Sequence, residues 1–173
     1  ADRERLLGHL EGGGRAILPE PAVLLTKSPK VPGLDGRKMS KSYGNTIGLR
    51  EEPDSVTKKL RAMQTDPARV RRSDPGDPDK CPVWELHKIY SSDETRAWVQ
   101  TGCRSAGIGC LDCKKPLIDS VVAEIEVIRK RAREFEENPE VVRNIVSEGC
   151  ERAREAARAT MEDVRAAVGV EYR

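Results

Sequence analysis

At 173 residues the chain has room for one ordinary domain, or a small domain with part of another, and its 37% apolar residues recur periodically enough to build a core despite 35% charge. The net charge of +2 excludes a globally basic protein, yet twelve Lys/Arg stand against five Asp/Glu between Thr26 and Arg72, a candidate footprint for phosphate or nucleic acid as well as an ordinary solvated face. No apolar run approaches membrane-spanning length and no signal-peptide pattern opens the chain, so a soluble, cytoplasmic protein with no membrane partner is expected.

Taken in order, residues 1–16 include Gly12-Gly13-Gly14, a flexible stretch. Ile17-Leu18 and Ala22 to Leu25 are short apolar runs that suit one buried strand at a sheet edge. Residues 28–45 form a loop rich in Pro, Gly, Lys and Ser. A helix follows, with Pro53 in its first turn and Val56, Leu60 and Met63 at helical spacing. Residues 73–82 are loop by composition, short helices are predicted at 83–90 and 94–100, and 102–113 is again irregular. A long helix at 117–135 carries Ile118, Val121, Val122, Ile125, Ile128, Ala132 and Phe135 on one stripe. Asn138-Pro139 starts a helix that stops near Gly149, and a last helix runs from Cys150 to Gly169 with Cys150 on its apolar stripe. Three helices with short connections predict an antiparallel bundle.

The most informative stretch is Pro32 to Asn45, which contains Lys38-Met39-Ser40-Lys41-Ser42. Glycines let main-chain N–H groups approach an anion, while two lysines and two hydroxyls in one short loop suit a polyphosphate whose charge changes during reaction. The pattern is not a P-loop, and five residues of this composition are equally compatible with a solvated basic turn.

Four of the five cysteines, Cys81, Cys103, Cys110 and Cys113, read C-x21-C-x6-C-x2-C. Clustered cysteines in a cytosolic setting read as metal ligands before disulfides. Four thiolates suit tetrahedral zinc or a four-iron cluster, and spacing alone does not decide between them. Cys150 reads as core. Lys58, Lys59, Arg61, Arg69, Arg71 and Arg72 form either a backbone-binding surface or a solvated face. Trp84 and Trp98 read as packing residues, and the Arg/Glu alternation at 129–137 as a salt-bridged exposed face.

Lys38 to Ser42 matches the Lys-Met-Ser-Lys-Ser signature of class I aminoacyl-tRNA synthetases at all five positions, and the flanks resemble the tryptophanyl members. Thr65-Asp66-Pro67, Asp74 to Pro78, Leu86-His87-Lys88 and the closing helices extend the likeness over 17–170. The resemblance implies a mainly α chain: a remnant of an α/β nucleotide-binding (Rossmann-like) domain over 1–50, bearing the phosphate loop, then an α-helical anticodon-binding domain over 51–173. It implies that Lys38 and Lys41 act catalytically on ATP, with Mg2+ expected beside it, and that Met39, Ser40 and Ser42 complete the loop. It also implies a [4Fe–4S] cluster on Cys81, Cys103, Cys110 and Cys113, with zinc as the alternative, because some bacterial members carry such a site. The implied partners are tryptophan and its tRNA, in a parent enzyme that is a homodimer through its other half, with this segment expected to be monomeric. The family's His-Ile-Gly-His type signature is absent, since His9 and His87 lack that context. This chain by itself is therefore expected not to activate tryptophan. The rival reading is a stand-alone iron–sulfur or zinc module that binds tRNA without catalysis.

Overall fold

The computed structural model describes residues 17–26 and 28–170. The glycine-rich opening stretch, His9 and Lys27 lie outside the described residues. Two compact units are present, Leu25–Glu137 and a second formed from Ala1–Leu24 with Asn138–Arg173.

The first unit holds four helices: α1 (Pro53–Ala62), α2 (Pro82–Tyr90), α3 (Asp93–Arg104) and α4 (Cys110–Glu137). Proline opens α1 and α2, where the missing N–H costs nothing. Asp54 lies in the first turn of α1 and Lys59 and Arg61 in its last, complementing the helix dipole. The Ser92 side chain caps α3 by accepting from the Thr95 N–H. The core joins Val56, Leu60 and Met63 to Val83 and Leu86 of α2 and to Leu117, Ile118, Val121 and Ile125 of α4. Leu117, Val121 and Ile125 recur every four residues, so one face of α4 is the wall on which α1 and α2 pack. The predicted stripe is buried only as far as Ile125; Phe135 is exposed. Beyond the core, Arg129 bonds Glu126 and Glu52, partners that lie outside the 129–137 alternation.

Lys114 is buried in this wall, and its ammonium donates to the carbonyls of Arg61 (2.8 Å) and Met63 (2.5 Å). It thereby satisfies carbonyls at the end of α1 that the helix cannot. Leu60 and Leu117 are both fully buried. Leu117→Ala is expected to destabilise the first unit by about 2–5 kcal/mol, through lost burial and a residual cavity, as read by urea denaturation.

In the second unit, residues 139–168 form one helix, α5 (Pro139–Val168), with Gly169 as its left-handed C-cap. Here the expected break at Gly149 is overturned. A mid-helix glycine costs only ~1 kcal/mol, and nothing at Gly149 caps the chain. The predicted three-helix bundle falls with it, because two of its members are one rod. Cys150 is exposed rather than core, as are Val142, Ile145 and Val146. The expected strand at 17–25 is also absent. No strand forms among the described residues, and Leu18, Val23, Leu24 and Leu25 are 70% to 97% exposed. A strand needs a neighbour for its backbone groups, and the described residues offer none. No helix of the described residues is long and apolar enough to cross a membrane.

Candidate functional site

The lysine–serine stretch is a tightly tied loop. Pro32 and Lys38 form an antiparallel bridge, the Met39 N–H donates to the Val31 carbonyl (3.0 Å), and Lys41–Tyr43 makes a single 3-10 turn. Asn45, almost fully buried, ties the loop together. Its carbonyl oxygen accepts from the Ser40 N–H (2.8 Å), and its amide donates to Asp35 (2.7 Å) and to the Lys38 carbonyl (3.2 Å). The Asn45 backbone carbonyl takes the Leu34 N–H (3.0 Å). Gly33 is what permits this: a Cβ there would fall on the Asn45 side-chain amide. The Asn45 amide, with Arg37 beside it, holds the Asp35 carboxyl below its usual pKa. Arg37 pairs with Asp35 (2.6 Å) and lies over the Tyr43 ring, 4.5 Å from its centre.

The consequence is a tied backbone with exposed charges. Lys38 and Lys41 are exposed, and their ammonium groups make no hydrogen bond or ion pair within the described residues. The hydroxyls of Ser40 and Ser42 lie 2.8 Å apart. Met39 turns inward and lines an apolar cleft with Val31, Ile47, Leu86, Tyr90 and Val121, which seats the loop on α2 and α4. The loop thus presents two compact cations from a fixed frame, as work on a polyphosphate requires.

The four predicted cysteines are brought together. Cys81 precedes α2, Cys103 closes α3, and Cys110 and Cys113 lie in the first turn of α4; all four line one small cavity with Thr65, Asp66, Arg69 and Val83. Of the stretch 102–113 expected to be irregular, 105–109 is so, while 102–104 and 110–113 belong to α3 and α4. A helix puts residues three apart on one face, so Cys110 and Cys113 reach the same cavity. Gly76 completes the enclosure: a Cβ at Gly76 would stand 2.7 Å from the Cys103 sulfur, and the Gly76 N–H donates to the Cys103 carbonyl (2.9 Å). The Asp66 carboxylate accepts from the N–H groups of Asp77 (2.8 Å) and Ala68 (2.9 Å), which folds residues 66–77 against the site and lowers its pKa.

Burial raises the pKa of Cys81 and Cys103, and neighbouring thiols raise them further; Cys113, the deepest, is pushed up to about 12. Cys81, Cys103 and Cys113 do not ionise together in an enclosed cavity unless a cation joins them. Within the described residues no three His, Cys, Asp or Glu side chains gather closely enough for a single metal ion.

His87 is fully buried beside the cysteines, with Nδ1 2.7 Å from the Ser91 hydroxyl and Nε2 3.4 Å from the Cys113 sulfur. Burial lowers its pKa from 6.5 to about 4. Between these values the unfolded chain binds a proton that the folded chain refuses, so stability falls as pH drops through that window. Denaturation of the metal-free chain from pH 7 to 4 is expected to show a loss of about 3 kcal/mol from this group. His87→Gln should flatten that part of the profile.

Of the basic residues read as one surface, Arg69 is buried and Lys59 is held by Glu51 (2.6 Å), while Lys58, Arg61, Arg71 and Arg72 are exposed. Trp84 is buried as expected, but Trp98 is 45% exposed.

The family model of class I tRNA synthetases for W and Y matches residues 4–126. The chain is 58% identical over 171 residues to the tryptophan–tRNA ligase of Ralstonia nicotianae, covering 99% of this chain and 43% of that protein. It is 46% identical over 157 residues to that of Thermotoga maritima, covering 90% and 48%. In structure it resembles the tryptophanyl-tRNA synthetase of Campylobacter jejuni complexed with ADP and tryptophan, with TM-score 0.70 and 27% identity over 95% of this chain and 50% of that one. The chain thus spans less than half the length of those two curated relatives. With the signature loop intact and the family model covering most of its length, this chain belongs to the class I tRNA synthetases of the tryptophan and tyrosine family.

Proposed function

We propose that the chain is the C-terminal part of a tryptophan–tRNA ligase, supplying the ATP phosphate loop and a tRNA-binding helical region. The observation that carries this reading is the Asn45-tied loop, whose Lys38 and Lys41 stand exposed on a fixed backbone. In adenylate formation a tryptophan carboxylate oxygen bonds to the α-phosphorus of ATP, the bond to the bridging oxygen breaks, and pyrophosphate leaves. The two ammonium groups face the charge that gathers on that leaving group, where a preorganised cation lowers the barrier. Mg2+ accompanies the ATP. The exposed Lys58, Arg61, Arg71 and Arg72 suit contacts with the tRNA backbone. The whole ligase is proposed to work as a homodimer through its other half, with this segment monomeric alone.

The cysteine cavity fits a [4Fe–4S] cluster held by Cys81, Cys103, Cys110 and Cys113. Its donor set is four thiols from three helices in a small enclosure. Tetrahedral zinc on the same four thiols is the alternative occupant. When bound, the cluster supplies one-electron redox capacity and cross-links the helices; no step of the ligase reaction is routed through it.

The test is a segment swap into the Ralstonia nicotianae ligase, with this chain replacing its counterpart. The swapped ligase is expected to catalyse tryptophan-dependent ATP–pyrophosphate exchange, and this chain alone to show none above a no-enzyme control. Exchange by the isolated chain would overturn the division of labour proposed here.

A further inference from the structure

Arg69 is a nearly buried cation whose neighbouring carboxylate, Asp66, lines the same cavity without forming an ion pair with it. Arg69 is 9% exposed and makes no ion pair among the described residues. Its Nη2 donates to the carbonyls of Ile108 (2.7 Å) and Arg72 (2.9 Å), and its Nη1 lies 3.9 Å from the Cys103 sulfur. Its Nε is buried without a hydrogen-bond partner. The side chain lines the same cavity as the four cysteines, and Gly76 leaves the room for it: a Cβ there would stand 3.1 Å from Arg69 Cδ. A guanidinium cannot escape its burial cost by losing a proton. A buried guanidinium with an orphaned Nε and one arm toward the Cys103 sulfur suits negative charge gathered on the cysteines.

We propose that Arg69 is a positioning residue for the cysteine-ligated cluster, its fork holding the loop between Cys103 and Cys110 and its charge setting the reduction potential of the cluster. This inference rests on the cluster reading above. Four thiolates around a four-iron core carry net negative charge, and one-electron reduction adds another. A fixed positive charge beside Cys103 stabilises the reduced form more than the oxidised form, so it raises the potential. The carbonyls of Ile108 and Arg72 serve a second purpose. They hold the guanidinium in place, so its donors stay aimed at the sulfur when charge arrives.

The experiment uses the whole chain, reconstituted without oxygen with ferrous iron and sulfide and titrated with dithionite while the reduced cluster is followed by electron paramagnetic resonance. Arg69→Gln is expected to load iron and sulfide like wild type but to be about tenfold harder to reduce, a fall of ~59 mV for one electron. Arg69→Lys keeps the charge and should stay near the wild-type potential. A loaded Arg69→Gln protein with unchanged potential would overturn the inference while leaving the cluster reading intact. If Arg69→Gln fails to fold or load, Arg69→Lys decides: a wild-type potential supports the charge role, and a potential lowered tenfold or more in the reduction equilibrium overturns it. A wild-type chain that takes up no iron and sulfide overturns the cluster reading and this inference with it.

Discussion

Lys41→Ala in the swapped ligase is expected to slow formation of tryptophan adenylate by about 10²–10³-fold, while tryptophan binding stays near wild type. Lys41 lies in the 3-10 turn Lys41–Tyr43, whose C-cap Gly44 donates its N–H to the Lys41 carbonyl (3.1 Å). That bond uses only the backbone of Lys41, and the Asn45 frame does not touch its side chain, so alanine leaves the loop folded. In the proposed role, what disappears is one ammonium group that acts on charge developing in the transition state. Single-turnover adenylate formation and equilibrium tryptophan binding separate the two effects. A variant with a normal rate and weakened tryptophan binding would refute the role given to Lys41.

Cys113→Ser is expected to retain less than about a tenth of the iron and sulfide bound by the reconstituted wild type, since removal of one ligand opens the cluster to oxidation. Metal analysis and the loss of brown colour give the readout. Cys113 lies next to Lys114, whose ammonium closes the end of α1 on the carbonyls of Arg61 and Met63. Hydrogen exchange should therefore rise around Pro82 and Lys114 and at the last turn of α1. Residues 38–42 should keep their protection, because Asn45 ties them locally even though the Gln64 N–H also donates to Leu34 at the loop's base (3.0 Å). A colourless protein that binds one zinc per chain would make the site structural zinc and leave the synthetase reading standing.

The parts of this molecule that were legible in the sequence share a short range. Lys38 to Ser42 is a contiguous signature, and the α1 and α4 core positions follow a helical period, so both are readable without knowing the fold. The cysteines were readable as a set because their order matters more than their surroundings. The misreadings have a common cause in context. Gly149 carries no local sign of whether a helix tolerates it or ends there. Ile17 to Leu25 has strand composition, but a strand exists only when a neighbour pairs with it. Arg69 sits in a run with Arg71 and Arg72 and looks like one more surface charge; only its burial beside Cys103 sets it apart. Asn45 binds partners at Asp35, Lys38 and Ser40, irregular separations that no periodicity announces.

Charging of tryptophan tRNA by the swapped ligase tests the central claim most directly, because it needs the phosphate loop and the tRNA-binding region to work in the same molecule. The account predicts tryptophanylation with kcat/KM within about tenfold of the unaltered Ralstonia nicotianae enzyme, a difference of ~1.4 kcal/mol in transition-state stabilisation. It also predicts that rates fall as salt rises, because Lys and Arg contacts with the RNA backbone are screened. A swapped ligase that is folded and binds ATP, yet neither forms the adenylate nor charges the tRNA, would contradict it.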